Sequence, residues 1–281
     1  MEGAKRKNEP EFICPLFNFQ IMDRGEDENR IFITQVRAFP FKRIDFLGNT
    51  TLNKFKKEDL KSKLLTNYVF DQHIAGAFYK KLEDMPVIEI YGEVENNLAD
   101  MVEKIILSLR LFKEGDVFSK IVWSADNDYH LILSPSYEIP NTVYSNVYSL
   151  KLEEISLINL IFNKINEANF EKRRAIKIAC DRFSRSYGRA MHDERIIDFM
   201  IAFEALFVKE NSPNSGSIIA TGCSYLLGKT DNEREEIYKF FKETYKLRNE
   251  IVHGSTMHII DTDEIACRLK EYLRKCIMTI L

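Results

Sequence analysis

The sequence predicts an α+β N-terminal domain over residues 1–150, followed by an all-α helical bundle over residues 151–281. Two observations carry that expectation. Before residue 150, short aromatic and β-branched runs of strand character alternate with helical stretches. Beyond it the strand patterns stop and only helical periodicity remains. The stretch Ser134–Thr142, with two prolines among polar residues, has the strongest turn chemistry in the chain and marks the linker region.

Residues 12–22 and 31–41 are rich in Phe and Ile and flank the charged turn Asp23–Arg30, so they read as a strand pair. Apolar residues at helical spacing (Leu60, Leu64 and Leu65; Ile74, Phe78 and Leu82) predict two short helices over 57–68 and 73–84. Pro86–Tyr91 reads as a strand. Residues 97–112 predict an amphipathic helix, with Leu98, Met101, Val102, Ile105, Ile106, Leu109 and Phe112 stepping by three and four. Val117–Ser124 and His130–Leu133 resume strand character. Six helices then follow, over 151–168, 171–189, 194–209, 215–227, 232–253 and 262–281. Their ends carry the expected signals: Asp193 ahead of Glu194, the loop Asn211–Gly216, the break Gly228–Asp231 with Asp231 as N-cap, and Gly254 after the fifth helix.

Composition narrows the function classes. With 45% hydrophobic and 30% charged residues, seven Pro and eleven Gly, the chain belongs with globular proteins. A formal net charge of −3 argues against a protein that coats nucleic acid by bulk charge, so any nucleic-acid site is a local patch. No apolar run follows the N-terminus at signal-peptide length, and none approaches the ~18 residues of a membrane span, so the expectation is a cytoplasmic protein without membrane contact. Five cysteines, odd in number and without a Cys-x-x-Cys pair, are expected to be ordinary buried thiols. No Asp, Glu or His cluster has metal-ligand spacing, and His73 and His130 stand without partners, so neither metal nor cofactor is expected.

The chemistry concentrates at the end of the fifth helix, in the segment Tyr245–Gly254 (YKLRNEIVHG). Its buried stripe is expected to be Ile237, Phe240, Phe241, Leu247 and Ile251. Asn249 and His253, four residues apart, lie about 40° apart around an ideal helix and share a face, whereas Arg248 and His253, five apart, lie about 140° apart. The arginine and histidine therefore need not meet within one chain. In a two-fold dimer through this helix, a second copy supplies the missing half. On its own this spacing is weak, since a helix-ending histidine and a salt-bridged surface arginine are the commoner reading of such residues. Arg185 and His192, seven apart across a helix end, form a similar pair with nothing site-like around them.

The surrounding sequence resembles the ApeA-like branch of the HEPN (higher eukaryotes and prokaryotes nucleotide-binding) domains. The run Asp193–Phe207 (DERIIDFMIAFEALF) is similar to the family's I-x-LEAL helix, and Tyr245–Gly254 is similar to its Y-x-LRN-x-IVHG ending. Order and separation also correspond. The resemblance covers residues 150–281, slightly under half the chain, and departs at Phe203, where the family often has Leu. It implies a HEPN helical bundle, a homodimer through that domain, and metal-independent cleavage of RNA, structured RNA such as tRNA being common in the family. The N-terminal part then becomes a sensor or regulatory domain, and prokaryotic antiviral defence or growth arrest the setting. A non-catalytic HEPN dimer that binds RNA or protein is the alternative.

For cleavage through the ribose 2′-OH, the resemblance gives His253 the role of base or acid and Arg248 that of a fixed cation on the phosphate, with Asn249 orienting the imidazole or holding the ribose. Glu204, an acid within the expected apolar stripe Ile197, Met200, Ile201 and Phe207, needs a partner: it either supports the site by pairing with Arg248 or serves as a core ion pair. Asp198 reads as solvated. From Glu171 to Arg189 seven basic residues face two acidic ones, and Arg173, Arg174 and Lys177 are candidate RNA contacts, against the ordinary reading of a solvated face.

Overall fold

The computed structural model describes residues 12–16, 19–21, 31–33, 36–40, 86–90, 98–119, 121–124, 129–131, 146–168, 173–254 and 261–281. The turn Asp23–Arg30, the short helices expected over 57–68 and 73–84, and the linker Ser134–Thr142 lie outside the described residues. The chain separates into two units, Met1–Leu133 with Tyr144–Leu160 and Ser134–Val143 with Ile161–Leu281.

In the first unit, β1 (Phe12–Pro15), β3 (Ile31–Ile33), β4 (Val36–Pro40), β5 (Pro86–Ile90), β6 (Ile121–Ser124) and β7 (Tyr129–Leu131) form an antiparallel sheet in the order β3-β4-β5-β1-β6-β7. β2 (Phe19–Ile21) pairs in parallel with β8 (Tyr148–Leu150). The expected pairing of 12–22 with 31–41 is absent from the described ladders. Residues 12–22 break after Pro15 into strands of two different sheets, and Ile31–Pro40 folds back on itself. Proline explains part of this: it has no N–H for a ladder, and Pro40 opposite Pro86 likewise lies where β4 and β5 end.

Helix α1 (Leu98–Phe112) buries Val102, Ile105, Ile106 and Leu109 of the expected stripe, but Met101 and Phe112 are half-buried and Leu107, Ser108 and Leu111 outside it are buried as well, so its second half is covered nearly all round. Arg110 is buried with them and its Nε donates to the Val117 carbonyl at 3.0 Å. The Tyr148 hydroxyl donates to the Leu109 carbonyl at 2.9 Å, and its ring stacks on Phe19 with centroids 5.5 Å apart. The chain passes so close to Tyr148 at Gly115, with φ +144°, that a Cβ there would lie 2.7 Å from the Tyr148 Cα. Burial acts to raise the Glu154 carboxyl, but the Lys113 ammonium and the Lys151 N–H that it accepts from outweigh this and hold it below the ordinary carboxylate range.

Every described element from Ile155 onward is a helix: α2 (Ile155–Glu167), α3 (Arg174–Ser186), α4 (His192–Phe207), α5 (Ser215–Leu227), α6 (Asp231–His253) and α7 (Thr262–Ile280). Their bounds depart from the expected ones by at most four residues. The division between the units falls within α2, after Leu160. In the second unit α4 packs against α3, α5, α6 and α7. That central place changes which of its residues are buried. The deepest are Ile196, Phe199, Met200, Ala202 and Phe203, while Ile197, Ile201 and Phe207 of the expected stripe are half-buried. Among the described residues no helix is long and apolar enough to cross a membrane.

Candidate functional site

Helix α6 is well bounded at both ends. Its N-cap is Thr230, not the expected Asp231. The Thr230 hydroxyl accepts from the Glu233 N–H at 3.2 Å and the Glu233 carboxylate accepts from the Thr230 N–H at 3.1 Å, a reciprocal capping box that a hydroxyl one residue earlier can make. Hydrogen bonds from the Lys229 and Thr230 N–H groups lower the Glu233 carboxyl below its ordinary value. At the other end Gly254 takes φ 66°, the left-handed C-cap expected of it, and donates back to the Glu250 and Ile251 carbonyls.

Between these ends the helix buries Ile237, Phe241, Thr244 and Leu247. Phe240 and Ile251, expected in the same stripe, are half-buried. Phe241 meets Phe203 of α4 edge to face, with ring centroids 4.8 Å apart. Tyr245 lies against α5 at Gly216, where a Cβ would come within 2.7 Å of its ring. Gly216 is thus what allows the opening residue of the Tyr245–Gly254 segment to pack close to α5.

Arg248, Asn249 and Glu204 are brought together. The Arg248 Nη2 lies 3.7 Å from Glu204 Oε2, and its Nη1 donates to Asn249 Oδ1 at 3.1 Å. The Arg248 Nε is buried without a hydrogen-bond partner. Both charged side chains keep an opening to solvent, 22% of Arg248 and 28% of Glu204. Glu204 therefore flanks the core as half of an ion pair, not within an apolar stripe. Asn249 is turned toward Arg248 in this chain, and none of the described hydrogen bonds or ion pairs links His253 to Arg248, Asn249 or Glu204. His253 occupies the exposed last turn beside Val252, itself 50% exposed. His253 is exposed to solvent.

The basic run expected to face RNA is largely engaged within the fold. Arg173 Nη2 donates to the Ile280 carbonyl at 2.6 Å, satisfying the end of α7. Lys177 pairs with Asp181 at 2.8 Å on the exposed face of α3, and Arg174 is exposed. Arg182 and Arg189 converge on Asp198 at 2.7 and 2.9 Å. Asp198 is only 2% exposed, so its reading as a solvated residue is corrected: α4 is packed on this side too, and two guanidinium groups make burial of the carboxylate tolerable. His192 opens α4 with its buried Nδ1 3.2 Å from Asp263 Oδ1 of α7, and none of the described hydrogen bonds or ion pairs joins it to Arg185.

Cys180, Cys223 and Cys276 are buried as expected, whereas Cys267 is exposed, its Sγ 3.7 Å from Asp263 Oδ1. Burial pushes the Cys180 thiol up to about 12 and raises Cys223 further, with Cys276 hydrogen-bonded beside it. Among the described residues no group of three or more His, Cys, Asp or Glu is placed to share a metal ion.

No protein-family model, curated protein or solved structure matches the chain.

Proposed function

We propose that the chain is a metal-independent endoribonuclease of the HEPN type, cytoplasmic and dimeric through its helical domain, acting in prokaryotic antiviral defence or growth arrest. The N-terminal α+β part serves as its sensor or regulatory domain. One observation carries most weight: the last two turns of α6 present an exposed His253 while Arg248, one turn back, is held by Glu204 and Asn249. Absence of metal dependence rests on the family resemblance.

In this mechanism the His253 imidazole takes the proton of a ribose 2′-OH, whose oxygen attacks the adjacent phosphorus. The P–O5′ bond breaks, the leaving oxygen is protonated by a second acid or water, and the products are a 2′,3′-cyclic phosphate and a 5′-hydroxyl. Arg248, permanently charged, stabilises the crowded phosphorane oxygens. Glu204 fixes the guanidinium.

Incubation of the purified chain with total RNA or tRNA in EDTA is expected to give fragments with 2′,3′-cyclic phosphate ends, and His253→Ala to abolish them without loss of folding or dimerisation. Persistent cleavage by His253→Ala refutes the assignment. One observation favours the non-catalytic alternative, a HEPN dimer that binds RNA or protein: Arg248 already has both an acid and an amide as partners in the single chain. Under that reading the wild-type chain retains RNA without cutting it.

A further inference from the structure

Lys242, Lys246, Asn249 and His253 step along α6 by four, three and four residues, which places them within an arc of about 60° and over a length of about 16 Å. Both lysines are exposed, Lys246 to 81%, and the Lys242 ammonium donates to Ser217 Oγ of α5 at 2.9 Å, which anchors it across two helices. Of the acids on this helix, Glu235 is matched by Lys239 at 2.6 Å and Glu243 is about 100° around the axis from Lys242, while Glu250 forms a loose exposed ion pair with Lys246 at 3.7 Å, which a phosphate bound at that ammonium would have to displace. In a chain of net charge −3, this is a local cationic edge that ends at the candidate catalytic histidine.

We propose that this edge is a substrate track: Lys242 and Lys246 hold the phosphates of a single-stranded RNA segment on one side of the bond cleaved at His253. The identity of the polymer rests on the nuclease reading above. Lysine suits the task, since an ammonium on a flexible stem acts as a point charge and contacts phosphates without reading bases. The basic run of α3 is less available, because Arg173, Arg182 and Arg189 are engaged by the Ile280 carbonyl and by Asp198.

The test measures binding of two labelled single-stranded RNAs of unrelated sequence to the full chain carrying His253→Ala, over a salt titration. Adding Lys242→Ala and Lys246→Ala is expected to weaken binding of both RNAs alike and to reduce the slope of log Kd against log salt by about 1.4, at ~0.7 per phosphate contact for single strands. Alanine favours the helix, so folding is retained, and circular dichroism checks it. Lys209→Ala with Lys229→Ala, both exposed and off the track, makes the same change in net charge and is expected to leave the slope unaltered. The track is overturned if its variant binds as the His253→Ala parent does, if the parent binds neither RNA, if only one RNA is affected, or if the control pair lowers the slope equally. Cleavage by the wild-type chain separates the two readings: cutting without lysine dependence leaves the nuclease and removes the track, and lysine-dependent binding without cutting does the reverse.

Discussion

Mixing two inactive variants tests how the site is assembled. Along an ideal helix, Arg248 and His253 are about 140° apart with Cα positions about 9 Å from one another, so their side chains diverge. In the structure Arg248 turns toward Glu204 of α4 while His253 faces solvent. If each site takes its arginine from one copy and its histidine from the other, a dimer of Arg248→Ala with His253→Ala retains one of two complete sites. Equal amounts, allowed to exchange freely, form mixed dimers as half of the population. The mixture is then expected to cut RNA at about a quarter of the wild-type rate, although each variant alone is inactive. Differently tagged copies verify exchange, and cleavage of labelled RNA in EDTA gives the rate. An inactive mixture with mixed dimers demonstrably present refutes the two-chain site.

Four further outcomes follow from the geometry. At 3.7 Å and an effective dielectric near 20, the Glu204–Arg248 attraction is about 4.5 kcal/mol before screening, and partial exposure leaves about 1 kcal/mol, so Glu204→Gln is expected to slow cleavage roughly fivefold while Tm moves by only a few degrees; a lower Tm with undiminished cleavage assigns Glu204 to the fold alone. Asp198→Asn removes the charge from two close guanidinium contacts on a buried carboxylate, and since both arginines keep some solvent the expected loss is about 2–4 kcal/mol in urea unfolding, with a loss under about 0.5 kcal/mol contradicting the packing described. Thr230→Ala is expected to cost about 1 kcal/mol by chemical denaturation. The lowered Glu233 carboxyl adds stability that is present above the ordinary carboxylate range and is lost as pH falls through the folded value, so Glu233→Gln is expected to flatten the acid side of the Tm profile, and an unchanged profile counts against the capping box.

The helices are legible in the sequence because their signal is periodic and local: α5 spans the residues expected of it, and α6 and α7 differ from expectation only by single residues at an end. Strand partners are not legible, since nothing within residues 12–22 specifies that β1 pairs with β5 and β6 and β2 with β8. Asp198 shows the same limit for a single residue. One acidic position in an amphipathic helix reads as solvated until Arg182 of α3 and Arg189 in the turn after it are known to come against it. The one clue is the excess of basic residues between Glu171 and Arg189, which suggests a face for RNA although part of it serves an acid in the next helix. The ends of α6 are nearly as expected, Gly254 in full and the N-cap displaced by one residue, because a Thr and an Asp side by side both satisfy the chemistry of a cap.

The two charged members of the candidate site depend on different parts of the fold. Arg248 lies seven residues beyond Phe241, two turns along nearly the same line of α6, and Glu204 follows Phe203 directly. Phe203 meets Phe241 edge to face across the same pair of helices, so the Glu204–Arg248 contact lies on elements that apolar packing already holds together. Among the described residues none of the hydrogen bonds or ion pairs holds His253. Its position is set by the last turn of α6 and by the left-handed turn at Gly254, where an added Cβ would meet no neighbouring atom within 4 Å and the backbone angle alone requires glycine. If the site is completed by a second molecule as proposed, Arg248 is the member held by its own chain and His253, exposed in the last turn of α6, the member offered to the partner.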